Sequence, residues 1–226
     1  PSCPACAWLA GLEGQGLLEC PVLFYWAALS CLVAEEVAGA HCGHWQPVDA
    51  EVQRGVLELC CPGGPCPSPS RAVARIAESL WPPGEGPGAG KLERLLQAWL
   101  FSSFDASASD DALEAAALCL GAAMCSHSCS PNCIWHLADG GGRLTLRSRC
   151  RIEAGEEVTI SYLSTAELYL PVLERRRALL LAKKFQCACP RCADDLDDTR
   201  AFECHRCGGE AFASVTATFH VPAEIA

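Results

Sequence analysis

Residues 187–192 read Cys-Ala-Cys-Pro-Arg-Cys, three thiols in six positions. Thiolates at this spacing can take three corners of a tetrahedral zinc site, with Zn–S bonds of about 2.3 Å, and a closed structural site then needs a fourth ligand. Three unrelated thiols are the alternative; the spacing favours zinc. Cys204-His-Arg-Cys207, followed by Gly208-Gly209, has the form of half a zinc knuckle or ribbon. His205, His220 or a ligand beyond Ala226 could contribute to the other half. Cys3-Pro-Ala-Cys6 repeats the spacing, which alone is common. Its helical surroundings differ from the strand–turn–helix of a thioredoxin-like redox pair. A third concentration is Cys125-Ser-His-Ser-Cys-Ser-Pro-Asn-Cys133. His127 and Cys129 could form a nucleophile pair, but on an irregular segment residues two apart need not face each other. No third, orienting group is evident. Metal site, nucleophile and tight turn all remain open at this point.

The chain has 226 residues, 18 of them cysteine. Steps of C-x-C and C-x-x-C suit chelation of one ion better than the stapling of distant loops, and cysteines this close pair poorly with each other. We therefore expect a reducing compartment, nucleus and/or cytoplasm, with zinc-bound thiolates and several buried free thiols. Half the residues are hydrophobic, enough for a sizeable core in one large domain or one domain with an appendage. The net charge of -10 argues against a protein that tracks phosphates, so no nucleic-acid partner is expected. Arg175-Arg176-Arg177 and Lys183-Lys184 are read as a solvated helix face. The apolar run from Val22 to Ala34 is too short to span a bilayer and is expected as a buried helix. The chain begins at Pro1 with no visible signal peptide, and we expect a piece of a longer protein or a processed chain.

The elements that must position these residues follow from pattern. Residues 1–60 read as mostly helical, and a turn-rich linker occupies 60–70. Val73, Ile76 and Leu80 recur at helical spacing and predict a helix from Arg71 to Leu80. The run 81–90 breaks structure, and a second helix covers Lys91 to Leu100. Asp110-Asp111 supply an N-cap for an alanine-rich stretch, expected to run as a helix into Cys125. Ile134–Leu137 and Leu144–Arg147 read as strands of a hairpin around Ala138-Asp-Gly-Gly-Gly142. A short strand follows, ending near Tyr162. Ser164 and Glu167 form a capping box for a helix continuing through Leu173–Lys184, with Pro171 delaying it by a turn.

With these in place, His127-Ser-Cys-Ser-Pro-Asn-Cys133, Gly155-Glu-Glu-Val-Thr-Ile-Ser-Tyr162 and Phe185-Gln-Cys-Ala-Cys-Pro-Arg-Cys192 resemble the C-terminal half of a SET domain with its post-SET zinc module. SET-domain proteins are protein lysine methyltransferases, and the C-x-C-x-R-C form is most similar to the SET-and-MYND (SMYD) subfamily. The resemblance covers roughly residues 101–207. Each motif alone is modest; three in the right order are specific.

The resemblance implies an α+β fold: a SET-domain β-fold with a pseudoknot-like core, a helical SET insert region and a cysteine-rich post-SET zinc module. Expected divisions are 1–100 for a helical, cysteine-containing region with a possible degenerate MYND remnant, 101–163 for the SET half, 164–195 for the post-SET module and 196–226 for a tail. It implies Cys129 as the fourth zinc ligand beside Cys187, Cys189 and Cys192. Ser126, His127, Tyr162 and Phe185 are the implied S-adenosylmethionine contacts, Tyr162 the catalytic residue, and Asn132 the support of the turn. Cys125 and Cys133 are expected as buried thiols. The implied function is S-adenosylmethionine-dependent protein-lysine N-methylation, with structural Zn2+ and a histone or other protein as substrate, and no membrane partner. The alternative is a catalytically impaired SET-like zinc-binding protein-interaction module. Departures motivate it: Ser126 stands where the family usually has Asn, Ser102 and Ser103 where a second Asn is common, and a glycine-rich cofactor loop is missing. The chain is accordingly expected to lack the N-terminal part of the cofactor site.

Overall fold

The computed structural model describes residues 4–40, 46–59, 61–62, 64, 67–106, 115–138, 142–194, 197 and 201–211. It divides into two compact units. The first comprises Pro1–Met124 with Leu137–Arg143, and the second Cys125–His136 with Leu144–Ala226.

The first unit is helical: α1 (Pro4–Gly14), α2 (Val22–Leu29), α3 (Ala34–Val37), α4 (Ala50–Glu58), α5 (Arg71–Leu80), α6 (Ala89–Ser102) and the short α7 (Leu120–Ala123). The amphipathic period predicted for α5 is what the structure shows, and the Ser70 hydroxyl accepts the Val73 N–H at its start. α6 packs against α2, α4 and α5, and its Leu92, Leu95 and Leu96 join Phe24, Leu29, Val56, Val73 and Ile76 in one core. Some of the polar groups that enter this core are matched, while Arg94 Nε and Nη1 and Gln97 Oε1 are buried without a hydrogen-bond partner among the described residues. Arg94 donates to the Leu57 and Leu59 carbonyls at the end of α4, and Gln53 to the Cys31 carbonyl. Between α5 and α6 the chain turns over the Trp81 ring at Gly86, where φ is +76° and a Cβ would lie 2.4 Å from the ring; only glycine fits.

The alanine-rich stretch is not the helix expected of it. Its Asp110-Asp111 cap lies outside the described residues. Ala116–Ala117 forms β2, antiparallel to β1 (Phe104–Asp105), with the Ala106 N–H bonded to the Ala115 carbonyl. Among its described residues, helix is confined to α7. Alanine's advantage of a few tenths of a kcal/mol per residue is outweighed by main-chain pairing with a partner strand.

The second unit carries the motifs. β3 (Ser126–His127) pairs in parallel with β6 (Thr159–Ile160), and the Ser128 N–H continues the ladder to the Ile160 carbonyl. Between them in sequence lie β4 (Cys133–Leu137) and β5 (Leu144–Ser148), which pair as the expected hairpin. The strand expected to reach Tyr162 stops at Ile160. The capping box of Ser164 and Glu167 is present, but it starts only the four-residue α8 (Thr165–Leu168). Pro171 then begins a separate α9 (Val172–Lys183), because its ring cannot continue the earlier helix. α10 (Pro190–Ala193) follows, with β7 (Phe202–Glu203) and β8 (Glu210–Ala211) as a terminal hairpin. Among the described residues no helix is long and apolar enough to cross a membrane.

Candidate active site and metal centre

Cys129 lies just beyond β3, Cys187 and Cys189 on the segment after α9, and Cys192 within α10. Their four sulfurs lie within 4.8 Å of one another. Cys129 Sγ is 4.0 Å from Cys187 Sγ and 3.5 Å from Cys192 Sγ. Sulfurs around a tetrahedral zinc ion with bonds of about 2.3 Å stand about 3.8 Å apart, so the donor set fits that ion. Main-chain N–H groups already favour charged sulfur here: Cys129 N–H points at Cys189 Sγ (3.4 Å) and Cys189 N–H at Cys187 Sγ (3.5 Å). Within this coupled cluster the Cys129 and Cys187 thiols lower Cys192 and Cys189 and are themselves raised, so the charge collects on Cys189 and Cys192. Pro190 opens α10, whose turn brings Cys192 N–H to the Cys189 carbonyl (2.8 Å) and folds the three tail thiols inward.

Arginines frame this cluster. Of the run at 175–177, expected as a solvated face, Arg177 is exposed as expected, but Arg175 is buried and Arg176 half-buried. Arg175 is 0 % exposed and donates to the Leu170 carbonyl (2.6 Å), Asp197 (2.7 Å) and Cys192 Sγ (3.6 Å). Burial opposes its charge, but Asp197 and Cys192 hold it firmly protonated. Arg176 donates to the Cys187 and Cys192 carbonyls, 2.9 Å each. Arg191 binds Asp197 with two nitrogens and reaches the Cys129 carbonyl (3.1 Å) and the Leu168 carbonyl (2.9 Å). Three guanidinium forks thus tie α9, α10 and the Cys129 loop together. Sequence reasoning missed Arg175, Arg191 and Asp197. A charge run on a helix carries no sign of distant carbonyl partners; the arginine inside C-x-C-x-R-C was the available hint.

Next to the thiols, three rings gather. His127 and Tyr162 have centroids 5.3 Å apart, His127 and Phe185 6.0 Å, and Tyr162 and Phe185 6.3 Å edge-to-face. The Tyr162 N–H donates to His127 Nδ1 (3.0 Å), so the neutral ring carries its proton on Nε2, which faces Cys129 Sγ at 3.3 Å. Burial, with Arg175 adding to it, lowers the imidazole pKa to about 4. His127 therefore links the ring cluster to the thiol cluster. The Tyr162 hydroxyl donates to the Cys125 carbonyl (2.6 Å), and the residue is 37 % exposed. The Ser126 hydroxyl donates to the Glu157 carboxylate.

Asn132 does more than support a turn. Its Oδ1 accepts from the Thr159 N–H (2.8 Å), its Nδ2 donates to the Glu157 carbonyl (2.8 Å), and its own N–H bonds Thr159 Oγ1 (3.1 Å). One amide splices the β3–β4 loop to the approach of β6. Cys133 is buried as expected, whereas Cys125 is only half-buried. Ser102 ends α6 and Ser103 caps it in the helical unit. Cys204 and Cys207 sit in the turn of the terminal hairpin, where the Arg206 and Cys207 N–H groups lower the Cys204 thiol. The expected pair Cys3 and Cys6 and the candidate ligand His220 lie outside the residues whose side chains are described.

The sequence model of the SET domain matches residues 28–163. Protein-lysine N-trimethyltransferase SMYD5 of Gallus gallus is 38 % identical over 74 residues, 33 % of this chain and 18 % of that protein. Histone-lysine N-methyltransferase SMYD3 of Mus musculus is 43 % identical over 67 residues, 30 % of this chain and 14 % of its own length. SET domain and MYND-type zinc finger protein 6 of Schizosaccharomyces pombe is 36 % identical over 80 residues, 34 % and 16 % of the two chains. The matched segments thus span less than a fifth of each of these relatives.

Proposed function

The chain belongs to the SET-domain family, and we propose that it forms the methyl-transfer site of an S-adenosylmethionine-dependent protein-lysine N-methyltransferase of the SET-and-MYND type. The observation that carries this reading is the gathering of His127, Tyr162 and Phe185 beside the four thiols. Relatives named as lysine methyltransferases support it. The parallel pairing of β3 with β6, with the β4–β5 hairpin between them in sequence, supports the pseudoknot-like core. A zinc ion held by Cys129, Cys187, Cys189 and Cys192 is structural, since four thiolates leave no open position on the metal. It makes residues 164–195 a post-SET module.

S-adenosylmethionine, when bound, supplies the electrophilic methyl group. Phe185 offers an aromatic face to the adenine, and Ser126 and His127 line the same pocket. Tyr162 is the catalytic residue. Its hydroxyl proton is committed to the Cys125 carbonyl, so the oxygen turns lone pairs toward an incoming methyl and stabilises the charge that moves through the transition state. The protein's remaining task is orientation: an acceptor lysine amine held in line needs no covalent help. The acceptor is a protein lysine. A methyl-transfer assay on a panel of histone and non-histone peptides, with Tyr162→Phe as the control, tests this. Transfer that Tyr162→Phe leaves unchanged removes the catalytic assignment.

A second reading has its own observation. Ser126 replaces an amide with a hydroxyl, and that hydroxyl is engaged by Glu157. In this reading the chain is an impaired SET-like interaction module stabilised by zinc. Calorimetry with S-adenosylmethionine separates the two: micromolar binding sinks the impaired module.

A further inference from the structure

Lys183 is the last residue of α9, and its Nζ lies 5.7 Å from the centroid of the Tyr162 ring. The end of the helix explains the placement. Lys184 takes the left-handed conformation at φ 60° and donates its N–H to the Leu180 carbonyl (3.1 Å), which reverses the chain. The residues on either side of it, Lys183 and Phe185, are both brought to Tyr162, while Lys184 itself is exposed. An amine therefore already stands at the ring of the residue proposed to direct methyl transfer. Burial lowers the pKa of Lys183, which raises the share of neutral, nucleophilic amine.

The rest of the sequence makes this placement selective. Lys91, Lys183 and Lys184 are the lysines of the chain. Lys91 belongs to the helical unit and is ion-paired with Glu36. Lys184 carries the same chemistry as Lys183 one residue away, but it is the turn residue and lies open to solvent.

We propose that Lys183 is a methyl acceptor of this protein's own site, modified within the same molecule. The inference rests on the methyltransferase reading above. In the step, the lone pair of neutral Lys183 Nζ forms a bond to the methyl carbon of S-adenosylmethionine as the carbon–sulfur bond breaks. That pair of electrons stays on sulfur, giving neutral S-adenosylhomocysteine, and the new methylammonium releases a proton to water before any further round. The modified side chain remains a cation over the Tyr162 ring, where methylation enlarges its contact with the aromatic face.

The complete protein is incubated with S-adenosylmethionine bearing a deuterated methyl group, and the label is located by peptide mass spectrometry. Cofactor binding is followed by calorimetry and transfer to a peptide panel is measured on the same sample. The expected result is label on Lys183, with a first-order rate independent of protein concentration. Lys183→Arg loses it, Lys184→Arg keeps it, and Tyr162→Phe slows it by about tenfold or more. Peptides methylated while Lys183 stays unlabelled, or label on Lys184 or Lys91 instead, overturns the proposal and leaves the methyltransferase reading intact. A rate that rises with protein concentration overturns modification within one molecule. Cofactor binding without transfer to any lysine, or no binding at all, overturns the proposal together with the catalytic reading.

Discussion

Leu95 in the helical unit and Arg175 in the thiol-bearing unit are each sealed from solvent. Leu95 lies in a core where Phe24, Leu29, Val56, Val73 and Ile76 share the burial, so its loss leaves many neighbours in place. Arg175 belongs to a unit whose buried apolar cluster, among the described residues, is much smaller. The buried apolar residues of its unit include Leu163 and Leu179, and the other buried members of that cluster are Cys129, Cys187 and Cys192. What replaces a large core there is a set of named polar links: four sulfurs, three guanidinium groups, Asp197 and the Asn132 amide. Burial is cumulative and forgiving, whereas directed links fail one at a time and completely. A site built from β3, β6 and the tail needs fixed geometry more than bulk, and the second unit supplies it with few residues.

Removing the proposed zinc tests the contrast most severely. Structural zinc contributes on the order of 10 kcal/mol to the folding of small domains. A chelator, or Cys129→Ser, is expected to expose the amides of 125–136 and 159–193 to hydrogen exchange while those of α2 and α6 stay protected. Equal loss in both units would erase the distinction. Arg175→Ala comes next, at about 3–5 kcal/mol, because it leaves Asp197 short of a partner and the carbonyl of Leu170 unmatched. Faster zinc release in a chromophoric chelator assay is the readout. Leu95→Ala costs about 2–5 kcal/mol by cavity formation and lowers the melting temperature of the helical unit without changing zinc release. Asn132→Ala costs about 1–3 kcal/mol, seen as loosened Thr159 amide exchange, since the Thr159 N–H loses its acceptor. Ser164→Ala, which removes one cap, costs about 1 kcal/mol and affects α8 alone.

How legible each part was follows from the range of the forces involved. The α5 helix and the β4–β5 hairpin were readable because their apolar period and turn residues are local. The thiols were readable because zinc imposes spacing on sequence, and the match to the family's motifs supplied Cys129. Local propensity misled at Ala116–Ala117, where a partner strand at Phe104–Asp105 decides the backbone. It misled again at Arg175, whose burial depends on Asp197, a residue 22 positions away. The parallel register of β3 on β6 leaves no mark on either short segment, and Asn132 gave no sign of how many groups it would join.

The separation of Cys129 from Cys187 by 58 positions also sets an order in time. Synthesis at about 5–20 residues per second delivers the tail thiols about 3–12 s after Cys129. During that interval the Cys129 thiol has no thiol partner from the tail, and closing so long a loop costs about 3–4 kcal/mol in chain entropy. On the proposed zinc reading, the ion is therefore captured only after the tail thiols have been made. Cellular zinc supply becomes a checkpoint: under scarcity the chain accumulates with its helices formed and its tail undocked, a species that ordinary measures of helix content would count as folded.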